Sequence, residues 1–158
     1  MLVALGSFAA MAATAFALPP FTTAPKSATG SGRQAELYAI DTACHPTFDR
    51  FVIRARSATP RYDVRYVNRV VADGSGETVS LQGTRRIHVV LRDSRAHTQA
   101  GSVLFPSVKT PLCANLRQIK LAADFEGVVS FGLGLRRRTG FRVFRLTGPT
   151  RIVIDVAH

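Results

Sequence analysis

The sequence has little that would favour helix or catalysis. It contains no tryptophan, two cysteines and four histidines. No segment of the main part of the chain repeats its apolar residues every three or four positions over the length of a helix, so we expect little helix. The histidines have no metal-binding spacing, and no Gly-x-Ser-x-Gly motif precedes a helix. We therefore expect no enzyme activity, no metal ion and no cofactor.

Acidic residues are also scarce. Ten Asp and Glu stand against 21 Lys and Arg, which gives a formal net charge of +11. A strongly basic exported domain should attract polyanions. The alternative is that a bias toward arginine reflects the base composition of the genome, in which case scattered surface arginines need no ligand.

The first residues form one apolar run, from Leu2 to Leu18. Ala15-Phe16-Ala17 is an acceptable cleavage site, so we expect a signal peptide at residues 1–17. No Lys or Arg precedes the run, and a short uncleaved anchor is the alternative. Either interpretation places the rest of the chain outside the cytoplasm, secreted or in the cell envelope, and after removal of a signal peptide we expect no transmembrane span.

Residues 18–35 carry several Pro, Gly, Ser and Thr residues without an alternating pattern, which predicts a flexible tether. One domain should follow at residues 36–158, with enough chain for its own core. The sequence specifies no oligomeric state for this domain.

Cys44 and Cys113 are the two cysteines. In an exported chain they favour a disulfide, which would stabilise the fold by about 4 kcal/mol through closure of a long loop. A lipid-attachment site would need an apolar run directly before Cys44, and a metal site would need further ligands at short spacing. Both alternatives have less support in the sequence.

Apolar and polar residues alternate in several segments, which is typical of half-buried antiparallel strands. The residues expected to face the core are Phe51, Ile53, Ala55, Tyr62, Val64, Tyr66, Ile87, Val89, Leu91, Ile119, Leu121, Ala123, Val129, Phe131, Leu133, Leu135, Ile152, Ile154 and Val156. Asp73-Gly-Ser-Gly76 predicts a hairpin arm, because glycine accepts the positive φ of such turns. Ser94 to Pro111 reads as a long loop. We expect an all-β fold, an antiparallel β-sandwich of about eight short strands.

Several of these segments together resemble a known family. They are Phe48-Asp-Arg-Phe-Val-Ile53, Tyr62-Asp-Val-Arg-Tyr-Val67, Asp73-Gly-Ser-Gly76 and the stretch from Gly140 to Val156. The combination is similar to the AMIN-like domain of secreted actinobacterial proteins, over about Leu37 to Val156. The related AMIN domain is a β-sandwich that targets cell-wall amidases through peptidoglycan. The resemblance implies an AMIN-like sandwich and a role at the cell wall, but not the cysteine pair. No hydrolase segment follows, so we do not expect targeting of an attached enzyme.

Two groups of arginines are candidates for binding an anion, since guanidinium groups hold carboxylates and phosphates bidentately. The first group is Arg136, Arg137 and Arg138 at a predicted hairpin tip, with Arg142 and Arg145 on the next strand. Phe141 and Phe144 nearby could add a stacking surface. The second group alternates with core residues and would form a basic plate if its strands share a sheet: Arg50, Arg54, Arg56, Arg61, Arg65, Arg86 and Arg92. The alternatives are a solvated turn over core phenylalanines, and pairing of the plate with Asp49, Asp63 and Asp93.

These observations predict a noncatalytic module of the cell envelope that binds peptidoglycan or an associated anionic wall polymer. The arginines favoured for binding are Arg136, Arg137, Arg138, Arg142, Arg145, Arg50, Arg54 and Arg65. The alternative is a protein-interaction domain that recognises an envelope protein through a strand edge. We expect no specific nucleic acid partner, because export argues against one and most aromatic residues fall on inward faces.

Overall fold

The structure is a computed structural model that describes residues 17–158, and the expected signal peptide lies outside this range except for its last residue. The described chain contains strands and no helix. The strands are β1 Lys26–Ala28, β2 Ala35–Cys44, β3 Phe48–Arg56, β4 Arg61–Val67, β5 Val70–Val71, β6 Thr78–Val79, β7 Arg85–Arg92, β8 Ser94–Arg95, β9 Val108–Lys109, β10 Leu116–Phe125, β11 Val128–Leu135, β12 Phe141–Leu146 and β13 Thr150–Ala157. Within residues 17–158, no segment forms a helix that could cross a membrane.

Two main sheets lie face to face. One has six strands in the order β1-β4-β7-β11-β10-β9, and the other has five in the order β12-β13-β3-β2-β8. All neighbours in these sheets are antiparallel except β2 and β8. The prediction of an all-β sandwich is confirmed.

The predicted number of strands is wrong, since the described residues form 13 strands rather than about eight. Three that the sequence does not reveal, β1, β8 and β9, have two or three residues each, too few to show an alternation. A fourth strand that the sequence does not reveal, β2, is long, but its register shifts between Leu37 and Ala39. A bulge of this kind inverts the order of inward and outward residues, and so hides the strand from a period-two pattern.

The core lies between the two sheets. Phe51 of β3 meets Phe131 of β11 edge to face with ring centroids 5.5 Å apart, and Tyr66 of β4 meets Phe141 of β12 in the same way at 5.6 Å. Each pair joins one sheet to the other. The residues predicted to face inward are buried, with Tyr66 and Leu121 only half-buried at the margin.

The chain passes from one sheet to the other directly after β7. Asp93 has a φ of 54°, a left-handed conformation that bends the chain so that β8 pairs with β2 in the five-stranded sheet. Most of the segment from 94 to 111 is irregular, as expected, with β8 and β9 at its two ends.

The predicted hairpin arm is present as β5 and β6, which pair with each other alone. Its base lies across the outer face of β11. A Cβ on Gly132 would come within 2.7 Å of Leu81 Cδ1, and one on Gly134 within 2.0 Å of the Gln82 carbonyl oxygen. Glycine at these two positions of β11 is therefore what lets the arm pack so closely.

Part of the segment predicted to be a flexible tether is instead held on the domain. β1 pairs with β4, and Thr22 exchanges two backbone hydrogen bonds with Phe141 on the outer edge of β12. Phe21 lies against Phe48, with ring centroids 6.2 Å apart. Apolar contacts and edge pairing thus fix residues that turn-type composition alone marks as loose.

The disulfide between Cys44 and Cys113 is confirmed, with the two Cα atoms 5.2 Å apart. It joins the end of β2 to the segment before β10, and so crosses from one sheet to the other. A cross-link of this kind restricts the unfolded chain most strongly where the loop it closes is long, here a separation of 69 residues.

Candidate anion-binding surface

The turn between β11 and β12 carries Arg136, Arg137 and Arg138, and its backbone is fixed by one buried asparagine. The Asn115 carbonyl oxygen accepts the Arg136 amide at 2.9 Å, and Asn115 Oδ1 accepts the Arg137 amide at 3.0 Å. Asn115 Nδ2 donates to Thr139 Oγ1 at 2.9 Å and to the Ala157 carbonyl oxygen at 3.0 Å. One side chain therefore ties the turn to the ends of β10 and β13.

Two further side chains complete this hold on the turn. Thr84 Oγ1 donates to the Arg136 carbonyl oxygen at 2.7 Å. Tyr66 Oη donates to the Thr139 carbonyl oxygen at 2.8 Å and accepts the Thr139 amide at 3.1 Å. The backbone is thus hydrogen-bonded at both ends of the arginine triplet. Binding of an anion to the arginines therefore costs little conformational entropy for ordering the turn.

A buried carboxylate lies beneath Asn115. Asp49 Oδ2 accepts the backbone amides of Asn115 at 2.6 Å and Leu116 at 2.7 Å, and the residue is fully buried. His158 Nε2 lies 3.4 Å from Asp49 Oδ1. A carboxylate oxygen of Asp49 and the two disulfide sulfurs also lie within 4.8 Å of one another. Because both sulfurs are bonded to each other, they are not thiolate ligands for a metal ion.

The three guanidinium groups of the turn are exposed, and strand ends bring other arginines beside them. One cleft of about 380 Å³ includes Arg136 and Arg117, and a second of about 370 Å³ includes Arg138, Arg85 and Arg86. The arginine end, as we call this surface, consists of Arg85, Arg86, Arg117, Arg136, Arg137 and Arg138. Arg138 also stacks over Tyr66, with its guanidinium carbon 4.3 Å from the ring centroid.

None of the arginine-end residues has an acidic group within ion-pair distance in the part of the chain that the structure describes. Six guanidinium groups at one end of a sheet therefore repel one another without internal compensation. An anion in either cleft would relieve that repulsion, and each planar fork could hold a carboxylate or phosphate group. The arrangement can bind oxyanions.

Arg50 and Arg142 both form ion pairs with one buried acid. Both donate to Asp155, which is fully buried on β13 between them, at distances of 2.6 to 2.9 Å. The hydrogen bond to this carboxylate raises the pKa of Arg50 above its ordinary value. Phe144 lies near both guanidinium groups, whereas Phe141 is a core residue.

The remaining candidates also have partners within the chain. Arg145 donates to the Pro60 carbonyl oxygen at 2.8 Å and lies over the Tyr62 ring. Arg54 pairs with Asp41 at 2.6 Å, and Arg65 lies 3.7 Å from Asp63. With these contacts made, the arginines of the turn are the candidates with the most available charge.

The condition for a single basic plate is not met, because the strands that carry the second group of arginines do not share one sheet. Arg50, Arg54 and Arg56 lie on β3 in the five-stranded sheet, whereas Arg61, Arg65, Arg86 and Arg92 lie on β4 and β7 in the six-stranded sheet. The outer faces of a sandwich point in opposite directions, so the seven arginines form two separate surfaces. Acids balance the β3 surface, where Arg56 and Arg95 bond Glu36 and lower the pKa of its carboxyl group.

Sequence reasoning missed Arg85 and Arg117 at this end of the sheet, together with the residues that hold the turn. Arg85 and Arg86 begin the alternating strand β7, and this was the available signal for a basic strand end. Asn115 gave no such signal, because its partners come from three distant parts of the chain: Asp49, the turn at 136–139, and Ala157.

Comparison with known proteins identifies the family of the chain. Residues 35–158 match the family model of the AMIN-like domain. No curated protein and no solved structure matches the chain. The match covers more than half of the sequence and all of the sandwich from β2 onward. On this evidence the chain belongs to the AMIN-like domain family.

Proposed function

We propose that this protein is a noncatalytic module of the cell envelope that binds an anionic polymer associated with peptidoglycan, and that the arginine end is its binding surface. The observation that carries the proposal is a rigid turn with three exposed arginines, joined by three more from neighbouring strand ends, and without an acidic partner among the described residues. Rigid backbone and uncompensated charge together favour oxyanion binding.

Membership of the AMIN-like family relates the chain to the cell wall, and the disulfide fits a location outside the cytoplasm. Wall peptides offer carboxylates, and wall-linked polymers offer phosphates or carboxylates. Both groups match the planar fork of arginine. Secretion and attachment to the envelope follow from this proposal.

The strand-edge alternative has less to support it. The terminal strands β1, β8 and β9 have only two or three residues each. The fourth edge, that of β12, is occupied at Phe141, which exchanges two backbone hydrogen bonds with Thr22. The short strands offer few unpaired backbone groups to an added strand, and the open edge that remains lies along β2 beyond Glu36 and along β12 beyond Phe141.

Cosedimentation with purified insoluble peptidoglycan tests the proposal. The wall preparation is used before and after its anionic polymers are stripped, each across a salt series. We expect binding that weakens as salt rises, because screening shortens the reach of exposed charges. The variant Arg136→Ala/Arg137→Ala/Arg138→Ala should lose most of it.

A charge-matched variant provides the control. Arg33→Ala/Lys109→Ala/Arg151→Ala removes three cations that lie outside the arginine end and have no acidic partner among residues 17–158. If both triple variants lose binding equally, net charge and not the turn explains it. Salt-insensitive binding, or none to either preparation, would contradict the proposal.

A further inference from the structure

A second basic site lies on the outer face of the six-stranded sheet, at the end far from the arginine turn. Arg61 of β4 and Arg92 of β7 are directly opposite each other in the antiparallel register, and both are exposed. Like charges that face each other across two strands destabilise a sheet. Neither has an acid within 4.0 Å among residues 17–158.

The two arginines line a concavity of about 220 Å³. Ser27 of β1, Asp63 and Arg65 complete its polar rim. Asp63 is 3.7 Å from Arg65, and an exposed pair at this distance contributes little. The concavity therefore has two arginines without internal partners and can hold an oxyanion between them.

This site and the arginine end lie on the same two strands. Successive outward positions of β4 and β7 pair as Arg61 with Arg92, Asp63 with Val90, Arg65 with His88, and Val67 with Arg86. Outward positions on one strand repeat about every 7 Å, so this row extends over roughly 20 Å. At its far end it reaches the cleft that holds Arg85, Arg86 and Arg138.

We propose that these residues form one arginine track, which binds an extended linear polymer whose phosphodiester groups recur every several ångströms. The track consists of Arg61, Arg65, Arg85, Arg86, Arg92 and Arg138. The proposal rests on the proposed function and adds its ligand class. A linear phosphodiester chain fits because the cations are spaced along one direction, whereas a single peptide carboxylate would occupy only one end.

The arm bounds the track on one side. β5 contacts β7, and the base of the arm packs on β11, where Leu81 and Val70 approach Gly132. His88 is half-buried, and burial lowers the pKa of its imidazole. The imidazole thus adds little charge at neutral pH, and arginines carry the binding.

Synthetic glycerol phosphate oligomers of two, four and eight repeats test the inference by calorimetric titration. The two-repeat oligomer is too short to reach both ends of the row, the four-repeat oligomer just spans it, and the eight-repeat oligomer is longer than the row. We expect the affinity to rise at least tenfold from two to four repeats and less than threefold from four to eight.

The variant Arg61→Ala/Arg92→Ala should lose the gain from two to four repeats, because it removes the two cations at the end of the track far from the turn. Lys109→Ala/Arg151→Ala loses the same charge at other places and should keep the gain. Asp63→Asn should raise the affinity for four repeats two- to fivefold, because it removes the acid from the row. Thermal unfolding checks that each variant folds, and the Arg61/Arg92 variant should be at least as stable as wild type.

Three outcomes would overturn the track. If both double variants behave alike on four repeats, or if affinity grows steadily with length up to eight, the anion is not held along β4 and β7. The proposed function would survive either result, provided that two-repeat binding still depends on Arg136, Arg137 and Arg138. If wild type binds no oligomer at any length, the track fails, and cosedimentation with intact wall then decides the proposed function separately.

Discussion

Replacing Asn115 with alanine should both destabilise the fold and weaken binding at the arginine end. The change removes three side-chain hydrogen bonds, which join Asn115 to the Arg137 amide, Thr139 Oγ1 and the Ala157 carbonyl oxygen. A hydrogen bond contributes about 1 kcal/mol net, and the Ala157 oxygen retains its bond from Thr139. The expected loss in the free energy of unfolding is therefore about 2 to 3 kcal/mol.

The turn should also lose its fixed backbone in this variant. Ordering one residue costs about 1 to 2 kcal/mol, and a freed turn would have to meet part of that cost when the anion binds. We expect the affinity for an anionic wall polymer to fall about tenfold at fixed salt, which corresponds to about 1.4 kcal/mol.

Urea unfolding measures the first effect and calorimetric titration the second, with all titrations at a temperature where the variant is folded. Gln99→Ala, at an exposed amide in the loop between β8 and β9, is the control and should match wild type in both. A stability loss below about 0.5 kcal/mol would refute the role of Asn115 in the fold. Reduced stability with unchanged affinity would refute the link between a rigid turn and binding.

Three other perturbations have expected outcomes. Cys44→Ser/Cys113→Ser should lower the free energy of unfolding by about 4 kcal/mol in urea, and a loss below 1 kcal/mol would show that the long loop is constrained otherwise. Asp155→Ala should lower the free energy of unfolding by about 3 kcal/mol or more, because it leaves Arg50 and Arg142 beside each other without their acid. Changing all three residues to apolar ones should recover most of that loss. Equal stability of the two variants in urea would count against the ion-pair account. Burial lowers the pKa of His88 from its ordinary 6.5, so the unfolded chain takes up the proton more readily and stability should decline as the pH falls below about 6.5. In unfolding curves measured across pH, His88→Gln should flatten this decline. Parallel pH profiles of the variant and wild type would exclude His88 as its cause.

The core was predictable from the sequence because its signal is local. Along β3, the alternation of Phe51, Ile53 and Ala55 with other residues predicts which side chains are buried, whatever the neighbouring strands. The same reasoning fails for β2, where the bulge after Leu37 breaks the period. Local alternation reports the face of a residue within its strand and nothing about the sheet to which the strand belongs.

Predicting how the arginines are distributed over the surface requires knowing the sheet to which each strand belongs. Arg50 and Arg65 both alternate with core residues, yet β3 and β4 join different sheets, and one plate becomes two surfaces. The exposed triplet at Arg136 to Arg138 was easier to predict, because a run of charges between two strands is a turn in almost any topology. The anchors of that turn were not predictable, since Asn115 meets partners from residue 49 to residue 157.

The central claim is that the arginine end is where this protein binds an anionic wall polymer. The most direct measurement is an NMR titration that follows the Nε–Hε resonance of each arginine as a soluble fragment of that polymer is added at physiological salt. The account predicts that Arg136, Arg137 and Arg138 shift first and saturate together, while Arg50 and Arg142, held by Asp155, stay unchanged. Uniform small shifts of all exposed arginines, or first shifts at Arg54 and Arg56 on the opposite sheet, would contradict it.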